Sequence, residues 1–245
     1  MFEPLQNHFT VDLSTKPAAA RMLAWQAEVD AGMRPFMHGY WEWDWADEFV
    51  ELTGVRKVNA STLDVTFYED GPACKPNARW MGVNLLAELD VPGEYYIDSA
   101  KKLLYFLPPD GEVRKPVILT YKPGAVVNVT SAAANTTLSD LEICYGRHVG
   151  LDATGARGLV LERLNVHDHG THGILLADAR DSFVHDCDVI GVGCIGIRAT
   201  GGDAATLTQG NVSVTNSRVT APAQWKRSYQ PGIFFGGVGN TYRSK

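Results

Sequence analysis

Three histidines and a carboxylate lie within one short segment of the chain, residues 165–173 (Asn-Val-His-Asp-His-Gly-Thr-His-Gly). Imidazole and carboxylate groups side by side can act as a general acid–base pair, and they can also bind metals. We expect His167 and Asp168 to be catalytic, and His169 and His172 to bind substrate. The alternative is a polar turn in which these side chains satisfy backbone groups. The cysteines lack the spacing of a zinc site, and we expect no metal and no cofactor.

A second set of candidates comes from two loops further along the sequence. Asp203 follows a Gly-Gly pair and is expected to act as an acid or base, while Arg227 is expected to steady a carboxylate or a developing negative charge. Trp225 and Tyr229 offer rings on which a sugar can stack, so we expect them to bind substrate. The structural alternative is that Asp203 caps the glycine turn and Trp225 folds over its neighbours. The sequence leaves both interpretations open.

An aromatic segment near the N-terminus, residues 36–47, holds five aromatic rings with Asp44, Asp47 and His38 between them. Rings and carboxylates together are suited to a sugar-binding subsite, because the ring stacks on the pyranose face and the acid accepts hydrogen bonds from hydroxyls. The alternative is packing, in which the rings hold a small β-domain together or cap the strands that follow.

The elements that must position these residues are short strands that recur between residues 135 and 239. One apolar column consists of Leu138, Leu161, Val184 and Val214. A second consists of Ile143, Val166, Val189 and Val219. Both columns have spacings of 23, 23 and 30 residues, and a glycine before an aliphatic residue recurs beside them, at Gly150, Gly173, Gly196 and Gly232. A period that persists and then lengthens by insertion is typical of stacked repeats.

Each repeat alternates apolar and polar residues over short runs, which indicates strands rather than helices. A repeat of about 23 residues with two or three strands predicts one coil of a parallel β-solenoid, in which like residues stack about 4.8 Å apart. The recurring glycines would lie where the backbone turns too tightly for a Cβ. The alternative is an antiparallel sandwich with coincidental spacing, but no Asn-Gly or Asp-Gly hairpin turn separates these strands.

We expect three parts: residues 1–34 with one helix, residues 35–121 as an aromatic-rich β region with a helix-and-hairpin insertion, and residues 122–245 as the coils. The N-terminal helix should span residues 18–29, because Pro17 suits a first turn and Thr15 can cap it. In the middle part, we expect a short helix over residues 83–89 and a hairpin that pairs residues 94–98 with 103–107.

Composition excludes some partners. The chain of 245 residues has a net charge of -6 and a pI near 5.6, which argues against binding to nucleic-acid phosphates. No apolar run approaches the length needed to span a bilayer. We therefore expect no nucleic acid and no membrane as partners, and a monomeric protein.

Several stretches resemble one family of proteins. They are residues 84–98 (NLLAELDVPGEYYID), 103–109 (LLYFLPP), 201–203 (GGD), 225–233 (WKRSYQPGI) and 236–240 (GGVGN). The sequence is similar here to right-handed parallel β-helix proteins of the pectin-lyase-like fold, many of which take part in polysaccharide breakdown. The resemblance covers residues 36–245. It implies an all-β fold, a right-handed parallel β-helix (solenoid) with an N-terminal helix and a small helix-plus-hairpin insertion.

The resemblance also implies a function. It indicates a carbohydrate-active protein, a glycoside hydrolase or polysaccharide lyase, that acts on a polysaccharide or oligosaccharide outside the cell or in the periplasm. The catalytic acid clusters of polygalacturonases and the calcium site of pectate lyases have no counterpart that can be matched residue by residue. The alternative is therefore a non-catalytic carbohydrate-binding or surface module. Because the coils of such proteins continue past the point that matches Asn240, we expect this chain to be a fragment.

Overall fold

The computed structural model describes residues 7–68, 72–113 and 116–243. Over these ranges the protein is predominantly β, with one α-helix and several parallel sheets. The chain separates into two compact units, residues 1–117 and 118–245. The three-part division expected from the sequence stays a prediction.

The first unit is built on an antiparallel sheet of five strands in the order β1-β4-β3-β2-β5. The strands are β1 (Asn7–Asp12), β2 (Phe36–Tyr40), β3 (Glu48–Asn59), β4 (Thr62–Phe67) and β5 (Arg79–Val83). Alternate residues point into one apolar core, where Met37, Leu52 and Val65 pack with Trp41. This is the period-two burial of a sheet with one covered face.

The N-terminal helix has the expected position but a different form. It begins as a 3-10 helix over Pro17–Ala24 and continues as α1 over Trp25–Asp30. Lys16 is the N-cap residue, without a side-chain cap, so the cap expected at Thr15 is wrong. The Thr15 hydroxyl instead donates to the carbonyl oxygen of Asp12 at 3.1 Å. Strand β1, which precedes this helix and pairs with β4, has no counterpart in the sequence-based expectation.

The insertion after β5 confirms the predicted hairpin but not the predicted helix. Strands β6 (Tyr95–Asp98) and β7 (Leu103–Phe106) pair antiparallel. The helix expected over residues 83–89 is a single 3-10 turn, Leu86–Glu88. Asn84 explains the difference: it adopts a φ of 55°, and its side-chain amide donates to and accepts from the backbone of Ile97. Helical conformation cannot propagate through such a residue.

The second unit consists of short strands arranged in three parallel ladders, which we call the first, second and third ladder. The first ladder contains β9 (Thr137–Ser139), β12 (Val160–Glu162), β15 (Phe183–His185), β19 (Ser213–Thr215) and β22 (Thr241–Arg243). The second contains β10 (Glu142–Cys144), β13 (Asn165–His167), β16 (Asp188–Ile190) and β20 (Arg218–Thr220). The third contains β8 (Val127–Asn128), β11 (Leu151–Asp152), β14 (Ile174–Leu176), β17 (Ile197–Asp203) and β21 (Ile233–Gly237). Strand β18 (Thr208–Gln209) pairs antiparallel with β17.

The pairing register confirms the predicted columns. Leu161 lies opposite Leu138 on one side and Val184 on the other, and Val166 likewise lies between its two predicted neighbours. Leu161, Val166 and Val184 are completely buried. Neighbouring repeats therefore share one apolar core, and the antiparallel alternative for these strands is wrong.

The recurring glycines also stack, and the reason is space between layers. A Cβ on Gly173 would lie 2.4 Å from Cγ1 of Val189 and 2.7 Å from the carbonyl oxygen of Gly196. That oxygen accepts a ladder hydrogen bond from the N–H of Ile174 at 2.9 Å. A side chain at this position would press on the bond that joins two repeats.

Candidate functional site

The turns that join the second ladder to the third stack on one another in four layers. They are residues 145–149, 168–172, 191–195 and 221–231, which we call the histidine corner. The N–H of Gly170 donates to the oxygen of Gly146 at 2.9 Å, and the N–H of Gly193 donates to the oxygen of His169 at 2.9 Å. The N–H of Trp225 donates to the oxygen of Gly193, also at 2.9 Å. The structure thus brings the histidine segment and the tryptophan loop, which the sequence presented as separate candidates, to the same corner.

Glycine makes this close stacking possible. A Cβ on Gly193 would lie 2.0 Å from the carbonyl oxygen of Gly170, and a Cβ on Gly170 would lie 2.0 Å from that of Arg147. Both contacts are with backbone atoms, which cannot move without breaking the hydrogen bonds between layers. The positions of the candidate side chains in neighbouring layers are therefore fixed relative to one another.

His167, at the end of β13, lies between two carboxylates. Its Nδ1 is 2.8 Å from Oδ2 of Asp168 and its Nε2 is 3.0 Å from Oε1 of Glu142. The hydrogen bonds to Asp168 and to Glu142 raise the pKa of His167 above its usual value. Because both ring nitrogens face acceptors, the protonated form is favoured. The ring of Tyr145 lies edge-on to that of His167, 5.5 Å between centroids.

His169 is a structural residue. It is 2% exposed, its Nδ1 accepts from the N–H of Gly146 at 3.0 Å, and its Nε2 lies 2.9 Å from the carbonyl oxygen of Ile143. Burial lowers its pKa, so the neutral ring with its proton on Nε2 fits both bonds. The substrate-binding role expected for His169 is therefore corrected: the ring is enclosed and satisfies backbone groups, as the polar-turn alternative proposed.

His172 lies near a charged residue that the sequence did not single out, Arg198. Its half-buried ring accepts from the N–H of Ile195 at 3.3 Å, and burial followed by the charge of Arg198 lowers its pKa. The guanidinium of Arg198 lies over the ring of Phe234, 5.0 Å from the centroid. Within the part of the chain that the structure describes, the buried Nε of Arg198 has no hydrogen-bond partner, and the same holds for Oε1 of Gln230.

Arg198 could have been found from register alone. It follows the Gly196-Ile197 pair, so it falls on the outward-facing column of the third ladder, between Leu175 and Phe234. A charged residue in a half-buried column of apolar neighbours is costly unless something pairs with it. An arginine retained at such a position despite that cost is a candidate for ligand binding.

The loop 221–231, the last layer of the corner, exposes several of its side chains to solvent. Trp225 is 52% exposed and Tyr229 is 76% exposed, although hydrogen bonds to Gly193 fix the backbone at Trp225 and Lys226. Arg227 is exposed in the same loop. These residues lie in the layer above Val192 and Gly193, within one turn of the histidine segment.

Asp203 lies elsewhere. It ends β17, whereas the loop that carries Arg227 leads into the start of β21, which pairs with the start of β17 at Ile197. Six residue steps of strand separate the two places by about 20 Å. Asp203 thus lies at the far end of β17 from the strand start into which the loop of Arg227 leads.

The side chain of Asp203 has a structural partner instead. Its Oδ1 accepts from the N–H of Ala205 at 2.9 Å, and that backbone bond lowers the pKa of the carboxyl. Gly201 pairs with Gly237 within the ladder, so the residues before Asp203 continue the strand and do not form a glycine turn. Asp203 instead accepts a hydrogen bond within the turn that follows it.

Among residues 7–68, 72–113 and 116–243, no group of three or more His, Cys, Asp or Glu side chains is arranged to hold a metal ion. Over the same ranges, no helix is long and apolar enough to cross a membrane.

Comparison with known proteins places the fold. No protein-family model matches the chain, and no curated protein matches its sequence. A solved structure described as a glycoside hydrolase superposes with a TM-score of 0.58 at 12% sequence identity, over 92% of this chain and 51% of that one. The chain thus spans about half the length of that protein. At this identity the similarity shows a common fold, a predominantly β architecture with parallel sheets of the kind found in a carbohydrate-active protein.

Proposed function

We propose that residues 122–245 form a right-handed parallel β-helix and that the protein is carbohydrate-active, binding an extracellular polysaccharide or oligosaccharide. The observation that carries the proposal is the stacking of four turns at the histidine corner, which gathers His167, His172 and Trp225 on one flank of three parallel ladders. Right-handedness is supported by the strong preference of parallel crossover connections. The fold similarity to a glycoside hydrolase supports the choice of ligand.

The corner offers the two kinds of contact that a sugar needs. Trp225 and Tyr229 provide exposed rings for the apolar face of a pyranose. Arg198 and Arg227 provide donors for hydroxyl or carboxylate oxygens, and Nε of Arg198 lacks a partner among the described residues. The ligand would lie across the layers, since these side chains come from successive repeats.

As an enzyme, the protein would be a glycoside hydrolase or a polysaccharide lyase with His167 as the acid. In hydrolysis, water adds to the anomeric carbon as the C–O bond to the departing sugar breaks, and the departing oxygen takes up a proton. In elimination, C5 gives up its proton to water and a C4–C5 double bond forms as the C4–O bond breaks, and the departing oxygen again takes up a proton. The imidazolium of His167 can supply that proton from Nε2 once substrate displaces Glu142, whose side chain is 64% exposed. Asp168 would hold Nδ1 throughout. The proton released by the attacking water in hydrolysis, or by C5 in elimination, would return to the ring through solvent.

A non-catalytic glycan-binding module is the second candidate. This candidate is favoured because the histidines already have hydrogen-bond partners within the protein. His167 bonds two carboxylates and His169 bonds two backbone groups. A site whose titratable groups already have partners can bind through Trp225 and Arg198 without turnover.

The test combines binding with product analysis. The full chain is assayed against neutral and uronate-containing polysaccharides by affinity electrophoresis, with reducing ends and unsaturated products measured in parallel. We expect Trp225→Ala to weaken binding, and His167→Gln to remove turnover while binding persists. Tyr121→Ala is the matched control, because Tyr121 is 78% exposed and lies outside the corner.

The outcomes separate the two candidates. Binding without any product supports the module, and product that disappears in His167→Gln supports the enzyme. Glycan binding that is equal in the wild type, Trp225→Ala and Arg198→Ala would refute the proposed site.

A further inference from the structure

Two neighbouring tryptophans of the first unit, Trp43 and Trp45, are exposed on the segment between β2 and β3. We call them the tryptophan pair. They are 53% and 56% exposed, whereas Trp41, two residues earlier, is 1% exposed in the core. Indole rings are among the most costly side chains to leave in water, and exposed aromatic surface of this kind marks binding sites.

The segment that carries the pair is anchored on both sides. Trp41 Nε1 donates to the carbonyl oxygen of Glu48 at 3.1 Å. Asp47, 3% exposed, lies 2.8 Å from Nε2 of His38, and the ring of His38 stacks on Phe49 at 4.2 Å. The tryptophan pair is thus held between two buried anchors, so binding through it would cost little ordering of the backbone.

The two rings stack on each other. Their centroids lie 6.1 Å apart and their planes are inclined by 22°. Because Trp43 is 53% exposed and Trp45 is 56% exposed, the pair leaves indole surface open to a flat ligand. A pyranose with equatorial hydroxyls has such a flat face, because its axial C–H groups point at the ring below.

Polar groups border this surface. Asp44, between the two tryptophans, lies 2.5 Å from Nζ of Lys75, and that ion pair lowers the pKa of the carboxyl. The guanidinium of Arg79 lies over the ring of Tyr40 at 4.8 Å. Lys75 also lines a groove of about 1710 Å³ in the first unit. Rings for the sugar face with charged groups for its hydroxyls are the composition of a glycan subsite.

We propose that the tryptophan pair is a second glycan-binding site, for a neutral polysaccharide of equatorial pyranoses such as a β-linked glucan or xylan. Neutral sugar is the occupant because the cations at this surface are already engaged: Lys75 is ion-paired with Asp44, and Arg79 lies 4.0 Å from the same carboxylate. The guanidinium of Arg79 also lies over the ring of Tyr40, so neither cation is left for a uronate. The site is independent of the histidine corner and does not depend on any catalytic activity there.

The experiment measures binding of the full chain to cellohexaose, xylohexaose and a galacturonate oligomer by calorimetry, with tryptophan fluorescence in parallel. We expect the double variant Trp43→Ala/Trp45→Ala to lose at least about tenfold in affinity for a neutral oligomer. Tryptophan is enriched among the interface residues whose truncation to alanine costs the most binding energy. The variant Trp43→Phe/Trp45→Phe should retain part of that affinity, because it keeps flat rings. Tyr121→Ala is the exposed aromatic control, and circular dichroism confirms that each variant is folded.

Comparison with Trp225→Ala distinguishes this inference from the proposed function. Loss of neutral-glycan binding in the double alanine variant but not in Trp225→Ala supports a separate site in the first unit. Loss in Trp225→Ala alone overturns the inference and leaves the corner as the glycan site. Absence of neutral-glycan binding by the wild type, or a double alanine variant that binds as the wild type does, overturns it as well, and a protein ligand of the pair would then be the alternative.

Discussion

Substituting alanine at two glycines of the same column should give opposite results. A Cβ at position 173 would meet Val189 Cγ1 at 2.4 Å and the carbonyl oxygen of Gly196 at 2.7 Å. At position 232 the nearest contact would be Val219 at 3.5 Å, which is ordinary van der Waals distance. Neither glycine has a positive φ, so strain in the backbone does not enter the comparison.

The magnitudes follow from packing. We expect Gly173→Ala to lower the free energy of unfolding by about 1–3 kcal/mol, the usual cost of overpacking, because the ladder bond at Gly196 must lengthen. Gly232→Ala should leave it unchanged or raise it by about 0.4–1 kcal/mol, since alanine restricts the unfolded chain. Urea unfolding followed by circular dichroism measures both. Equal losses, or a larger loss at Gly232, would refute the stacked geometry.

Three further predictions concern the candidate residues. Because the pKa of His167 is raised, its bonds stabilise the fold fully below about pH 6.5, and this stabilisation is lost as the pH rises through the folded-state pKa. The urea midpoint of the wild type should therefore fall over that pH range, and that of His167→Gln should not. An identical pH profile for the two proteins would contradict this prediction. His169→Leu leaves the N–H of Gly146 and the oxygen of Ile143 buried without the partner that His169 provides, so we expect the free energy of unfolding to fall by about 2–4 kcal/mol in urea unfolding. A loss near zero would mean that the ring only fills space. Asp203→Asn should leave glycan affinity unchanged in calorimetry, and a substantial loss would return Asp203 to the site.

The stacked strands were predictable because repetition encodes register directly. When Leu138, Leu161 and Val184 recur at a constant spacing, each repeat must place the same residue over the same core position. The glycines were predictable for the same reason, although the cause is the closeness of neighbouring layers rather than the tightness of a turn.

The first unit was less predictable because its pairings are not periodic. Strand β1 pairs with β4 across about fifty residues, and no local pattern in Asn7–Asp12 announces that partner. The helix expected over residues 83–89 had suitable composition, but Asn84 takes a positive φ to bond with Ile97 on the hairpin. Tertiary hydrogen bonding overrides propensity at such positions.

The sequence predicted the candidate residues separately, and the structure shows which of them share one corner. Stacking of the layers brings His167 and Trp225 to one corner. This placement follows from the spacing of the two residues along the chain once the strand pairing is known. Asp203 was misplaced because a Gly-Gly pair was interpreted as a turn, whereas Gly201 continues the strand beside Gly237. Arg198 was not among the predicted residues because a single arginine in a strand has no motif. That its Nε has no hydrogen-bond partner among the described residues is visible only in three dimensions.

Hydrogen–deuterium exchange of the full chain with and without a bound oligosaccharide tests most directly whether sugar binds at the histidine corner. Backbone amides of residues 191–195 and 221–231 form the layers on which the sugar would lie, and their exchange should slow when the oligosaccharide binds. Peptides that cover Ala204 to Thr206, beyond Asp203, should be unaffected. Unchanged exchange throughout the corner, together with slowing at the Asp203 loop, would contradict the proposed site.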